Sequence, residues 1–167
     1  MKKYLKFAGI VSALFAIVAF ILLMATTGVF YKYGSTQYNY EGTVVLFGAT
    51  RETWLGTTHI KPAATGLIGW ILIMAALIIL LLGIILPLLK VKALEKFAGV
   101  LNLVAVCALV VGGILLFFSK GAFCAANEWN ADDAHLGAGW IIAGILSILG
   151  GVIAILPAAV DFIGKKK

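Results

Sequence analysis

Polar and apolar residues fall along this chain in long blocks. Four stretches, 7–30, 66–89, 97–118 and 136–160, contain no Asp, Glu, Lys, Arg or His. The hydrocarbon core of a bilayer is about 30 Å thick and takes about 20 helical residues to cross at about 1.5 Å each. Each block is long enough. A strand-built barrel needs shorter segments of alternating polarity, because its lumen stays wet. The pattern therefore predicts an all-α integral membrane protein with four transmembrane helices.

The blocks also repeat in pairs. Lys6-Phe7-Ala8-Gly9-Ile10 opens the first and Lys96-Phe97-Ala98-Gly99-Val100 the third, while Gly69-Trp70-Ile71 and Gly139-Trp140-Ile141 begin the second and fourth. The interval from Trp70 to Pro87 equals that from Trp140 to Pro157. An internal period is evidence about architecture, and here the unit is a helical hairpin. Residues 1–92 form one hairpin and 93–167 the next, two tandem parallel repeats related by an axis along the membrane normal. The matched prolines predict matched bends near one end of the bundle. The copies differ most in their loops. The first, 31–65, is about twenty residues longer than the second, 119–135.

Within 31–65, Tyr31, Tyr33, Tyr38 and Tyr40 alternate with Lys32, Gln37, Asn39 and Glu41, and Thr43-Val44-Val45-Leu46-Phe47 follows before Gly48. Period-two alternation with β-branched and aromatic residues between Gly34-Ser35 and Gly48 predicts a β-hairpin or small sheet. The second loop is short enough for a turn or one strand.

Charge sets the expected orientation. Of the thirteen basic residues, nine lie before the first block, between the second and third, or after the fourth. Cytoplasmic loops carry such an excess, so both termini are expected in the cytoplasm of a cell-membrane protein, with both longer loops outside. The net charge of +6 follows from lysines bordering the membrane, where anionic headgroups attract them. It does not point to nucleic acid. The first block resembles a signal peptide in its flanking lysines but exceeds the usual apolar length, and it reads as a helix. Cys107 and Cys124 stand about 25 Å apart if helix joins them, too far for a disulfide. Cys124, alone in the second loop, is left as a small unpaired residue or a link between subunits.

This layout resembles the claudin-like four-helix membrane proteins, with both termini inside, a longer β-prone first outer loop, a short second one and a tight inner turn. The resemblance is architectural. That family's Trp…Gly-Leu-Trp…Cys…Cys pattern is matched no more closely than by Trp54-Leu55-Gly56, and the first loop has no cysteine. It implies a structural or interaction role.

Several residue groups carry candidate chemistry. Gly139, Ala143, Ser147 and Gly151 recur every four residues, a small-residue face that packs helices inside a bundle or against another subunit. Ser12 and Asn102 hold equivalent positions in the two copies, as polar residues able to bond across helices or line a solute path. Glu128, Asp132, Asp133 and His135 crowd the start of the fourth block. They could hold a divalent cation, although Asp132 and Asp133 are equally explained by capping the fourth helix, and no metal is assigned. Trp70 and Trp140 read as headgroup-level anchors. Tyr38, Tyr40, Phe47 and Trp54 read as a partner surface, since aromatics are enriched at interface hot spots.

No catalytic or cofactor-binding fingerprint accompanies the two histidines, and no ionisable residue lies within a span, where coupled transporters place them. The expectation is a non-catalytic structural or accessory subunit without a cofactor. Its partners would be the bilayer, further copies of itself or other membrane-protein subunits. The competing reading is an oligomeric channel or facilitator for a small solute.

Overall fold

The computed structural model describes residues 2–53, 56–85 and 98–163. Four long helices dominate it: α1 (Lys2–Ala25), α3 (Ala64–Ile85), α4 (Ala98–Phe117) and α6 (Ala138–Ile163). Each contains a segment long and apolar enough to cross a membrane. Trp54, Pro87 and the lysines at 90–96 and 165–167 lie outside the described residues.

The helices form a ring in chain order, α1 against α3, α3 against α4, α4 against α6, and α6 back against α1. Neighbours run antiparallel. The tightest approaches occur where side chains are missing. A Cβ at Gly112 would lie 3.0 Å from the carbonyl oxygen of Gly69, and one at Gly113 would lie 2.8 Å from that of Gly144. Two adjacent glycines thus bring the α4 backbone against α3 on one side and α6 on the other. Lipid gives helices no hydrophobic reason to associate, so close van der Waals contact must supply it. Outward positions are apolar and exposed, as in Leu14, Val18 and Ile21 of α1 or Ile141, Ile145 and Leu149 of α6. Such a surface suits helices long and apolar enough to cross a membrane.

One end of the ring carries a cap. Strands β1 (Thr27–Tyr33) and β2 (Thr36–Glu41) form an antiparallel hairpin around Gly34, whose φ of +60° suits the tight turn. β5 (Ala134–Leu136), from the second loop, pairs with the other edge of β1, giving the order β2-β1-β5. A separate hairpin joins β3 (Ala49–Thr53) to β4 (Gly56–Ile60). Between them lies the short helix α2 (Gly42–Phe47), and α4 is followed by α5 (Ser119–Ala126) and a 3-10 turn at Ala131–Asp133.

Four expectations are corrected. The first block does not stay helical to residue 30. It turns at Thr26, whose Oγ1 donates to the Leu22 carbonyl, and the apolar residues beyond it belong to β1, with Val29 buried in the cap. The 43–47 segment is helical rather than extended. Val45 and Leu46 are both fully buried, which adjacent residues of a strand facing one core cannot be, because they point to opposite faces. The second loop holds a helix, a 3-10 turn and a strand, more than a turn or one strand. Asp132 and Asp133 do not cap the fourth helix. They lie in the 3-10 turn, where Asn130 Oδ1 accepts from the Asp132 amide.

The glycine contacts yield a test. Gly112→Val forces α3 and α4 apart and should destabilise the bundle by about 1–3 kcal/mol, the usual penalty of overpacking. Ile114→Val, on the exposed face, should change stability by less than about 0.5 kcal/mol. Thermal unfolding in detergent micelles compares the two.

Candidate functional site

The cap is built from aromatic residues that come from both loops. Alternation along β1 and the register Val29↔Tyr40, Tyr31↔Tyr38 and Tyr31↔Ala134 place Val29, Tyr31, Tyr33, Tyr38 and Tyr40 on one face of the sheet. Phe30, Lys32, Gln37, Asn39 and His135 occupy the other. Tyr31 stacks on Trp129 with ring centroids 4.8 Å apart. Tyr40 meets Phe123 at 5.3 Å and Trp129 at 5.2 Å, and Phe123 meets Trp129 edge-on. Such offset and edge-on pairs stabilise beyond their buried area.

Asn127 fastens the two loops together. Its Oδ1 accepts from the Lys61 amide at 2.8 Å, while Nδ2 donates to the Lys61 carbonyl at 3.0 Å and to the Phe123 carbonyl at 2.9 Å. One side chain thus satisfies three backbone groups.

The aromatic face continues past its own packing. Tyr33 is 72% and Tyr38 42% exposed, whereas Tyr40 on the same face is only 6% exposed. Arg51, from β3, holds its guanidinium 5.7 Å above the Tyr40 ring. It is the sole arginine in the chain, and its side chain is exposed. An exposed guanidinium can present its donor fork to a planar oxyanion. Burial pushes the Tyr40 phenol up, with Arg51 partly opposing and Tyr38 and Tyr31 adding to the rise. Those groups therefore lie within electrostatic reach of one another.

The proposed partner residues separate accordingly. Tyr38 is on the surface, Tyr40 is a core residue, Phe47 is half exposed and packs on Trp70, and Trp54 lies outside the described residues. Arg51 and Tyr33 complete the surface. Tyr33 belongs to the alternating tyrosine segment, whereas no local pattern marks Arg51, although a single arginine among twelve lysines is a usable signal.

The remaining candidates also find their places. Ser12 is buried and donates to the Gly150 carbonyl at 2.7 Å, tying α1 to α6. Asn102 faces α3, its Oδ1 being 3.5 Å from where a Cβ on Gly83 would stand. Gly139 abuts Thr26, and Ser147 and Gly151 lie against Gly113 and Val110 of α4, with Ala143 buried. Among the described residues, no three His, Cys, Asp or Glu side chains converge as a metal site, so Glu128, Asp132, Asp133 and His135 form none. Trp140 does not anchor at a headgroup surface. It is fully buried, with Nε1 donating to the Leu23 carbonyl at 3.2 Å. Cys124 is buried too, so its thiol is not available to link subunits.

Comparison of the chain with protein-family models finds no match, and no curated protein matches it.

Two measurements probe the cap. Asn127→Ala gives the exposed Lys61 backbone groups over to water and should cost about 0.5–1.5 kcal/mol, with faster hydrogen exchange at the Lys61 amide. Burial raises the Cys124 thiol, Lys120 acting in the opposite sense. A thiol raised in the folded state contributes stability that is complete below its unfolded pKa, about 8.5, and is lost as pH rises through the folded value. Thermal stability should therefore fall as pH rises above that unfolded value, and less steeply in Cys124→Ala.

Proposed function

We propose that this is a non-catalytic multi-pass subunit of a cell-membrane assembly, with both termini in the cytoplasm and the cap outside. It acts as an extracellular docking platform on a four-helix base. The observation that carries this reading is the uncovered end of the aromatic face, where Tyr33 and Tyr38 are exposed, together with Arg51, whose guanidinium lies over Tyr40 of the same face. Tyr and Arg are the residue types that dominate interface energetics. Such a patch fits a partner protein that presents an apolar side chain next to a carboxylate.

The filled interior also favours this reading over a channel. Ala16, Ala19, Ile73, Ala76 and Leu109 are fully buried, and Trp140 closes the cap end. A solute path through one copy has no room. The layout shared with claudin-like proteins is consistent with an interaction role.

Deleting the first loop is a poor test, because it removes the core residues Tyr40, Val45 and Leu46. Point substitutions separate docking from folding. Full-length protein with Tyr38→Ala and Arg51→Gln should lose association with its native membrane partner by tenfold or more, while thermal stability changes by about 1 kcal/mol or less. Mild-detergent extraction followed by mass measurement reads both states. A strictly monomeric wild-type particle, or unchanged association in the variant, overturns the proposal.

A further inference from the structure

The short helix α2 leaves the cap core on one side. Val45 and Leu46 are fully buried, but Phe47 is 52% exposed. Its ring meets Trp70 edge-on, with centroids 5.4 Å apart and planes at 87°. Trp70 in turn stacks on Phe20 at 5.6 Å. The three rings form a column joining α2, α3 and α1.

Helical rise gives the depth of that column. Phe20 lies five residues from the end of α1 at Ala25, and Trp70 six residues from the start of α3 at Ala64. Both therefore sit roughly 7–9 Å toward the middle of the bundle from its capped end. The apolar segment of α1, Phe7–Ala25, has 19 residues, about 28 Å of helix, no longer than a hydrocarbon core of about 30 Å. Both of its ends must then lie close to the hydrocarbon boundaries, with Phe20 and Trp70 well inside. A ring 5.4 Å from Trp70 cannot stand far into water.

The surroundings agree. Ile68 and Ile71 of α3 and Val18 and Ile21 of α1 are exposed apolar side chains on the turns that flank Phe20 and Trp70. Phe carries no hydrogen-bonding group, so nothing draws Phe47 toward the headgroups. Helices lying in the interface bury their apolar face at the headgroup–acyl boundary in this way.

The geometry points to α2 as a lipid-binding element of the cap: Phe47, packed on Trp70 at the capped ends of α1 and α3, inserts into the outer leaflet among the upper acyl chains. The partner that covers its exposed edge is phospholipid. The inference rests on the four helices spanning a bilayer, and its test separates the two claims.

A nitroxide is placed at Phe47→Cys, Tyr33→Cys or Ile71→Cys in full-length Cys107→Ala protein, reconstituted in phosphatidylcholine–phosphatidylglycerol vesicles. Collision with oxygen, which concentrates in lipid, is compared with collision with a water-soluble nickel chelate. Position 47 should rank with 71, its oxygen-to-nickel ratio several-fold above that at 33. Should Phe47→Cys disturb the fold, Val44→Cys on the same helix provides the comparison. Nickel access at 47 equal to that at 33, with 71 still in lipid, overturns the inference and leaves the membrane reading intact. Nickel access at 71 as well overturns both. Protection from both reagents at 47 shows protein covering it and also overturns the lipid assignment.

Discussion

The indole of Trp140 occupies the place where four helices end and two loops begin, and the rest of the structure is arranged around it. Its Nε1 donates to the Leu23 carbonyl, one of the four acceptors that the end of any helix leaves without an internal partner. Its ring lies against Gly28 and Gly66, where an added Cβ would stand 3.1 Å from it in each case. Carbonyls on either side of Leu23 are also taken. Leu22 accepts from the Thr26 amide and hydroxyl, and Thr26 accepts from Gly42. Next to hydrocarbon, an unsatisfied carbonyl costs several kcal/mol. Bonding Leu23 to Trp140 of α6 and Thr26 to Gly42 of α2 therefore ties the end of α1 to the first loop and to the last helix. Gly42 and Gly137 follow from it, because a Cβ on either would strike the carbonyl oxygen of Leu23 or Thr27.

Below the cap, packing replaces hydrogen bonding as the organising force. Gly112 and Gly113 point to different neighbours, so α4 is drawn to α3 and α6 together, while Ser12 binds α1 to Gly150 of α6. The α1–α3 pair is left the least closely packed of the ring, and at its capped end the gap is spanned by Phe20, Trp70 and Phe47. Bulky rings take over where small residues are lacking. A bundle packed in this way is consistent with the base proposed above, and it leaves the cap as the part with exposed aromatic groups.

Legibility from the sequence followed how local each determinant is. Span length is a one-dimensional property, so the four apolar helices could be read directly, and the hairpin turn at Gly34-Ser35 is marked by its own residues. The 43–47 segment was misread because an unbroken apolar run fits a strand or a buried helix equally. What decided it was the need to bury Val45 and Leu46 together. Strand β5 has three residues, too few for any periodicity, and exists because β1 offers it an edge. The aromatic cluster unites Tyr31 and Tyr40 with Phe123 and Trp129, a union that no local pattern announces. The seam of Gly139, Ala143, Ser147 and Gly151 was sought on one helix at a fixed interval. Its counterpart on α4 uses two consecutive glycines, a spacing that signals nothing until the neighbours are known.

The aromatic side chains at the capped end of the bundle fall into three groups. Phe20, Trp70 and Phe47 form a column on the outside, Trp140 fills the centre with its one donor satisfied, and four of the five tyrosines stand in the cap. Tyr31 and Tyr40 are spent on internal packing; Tyr33 and Tyr38 are not. Because Asn127 locks the two loops together and Trp140 locks them to α1, these exposed rings and Arg51 cannot move independently of the helices. A partner of the kind proposed above would meet a surface held in place by the helix bundle. Little conformational entropy then remains to be lost on binding, and that loss is the main cost that makes flexible loops weak binders.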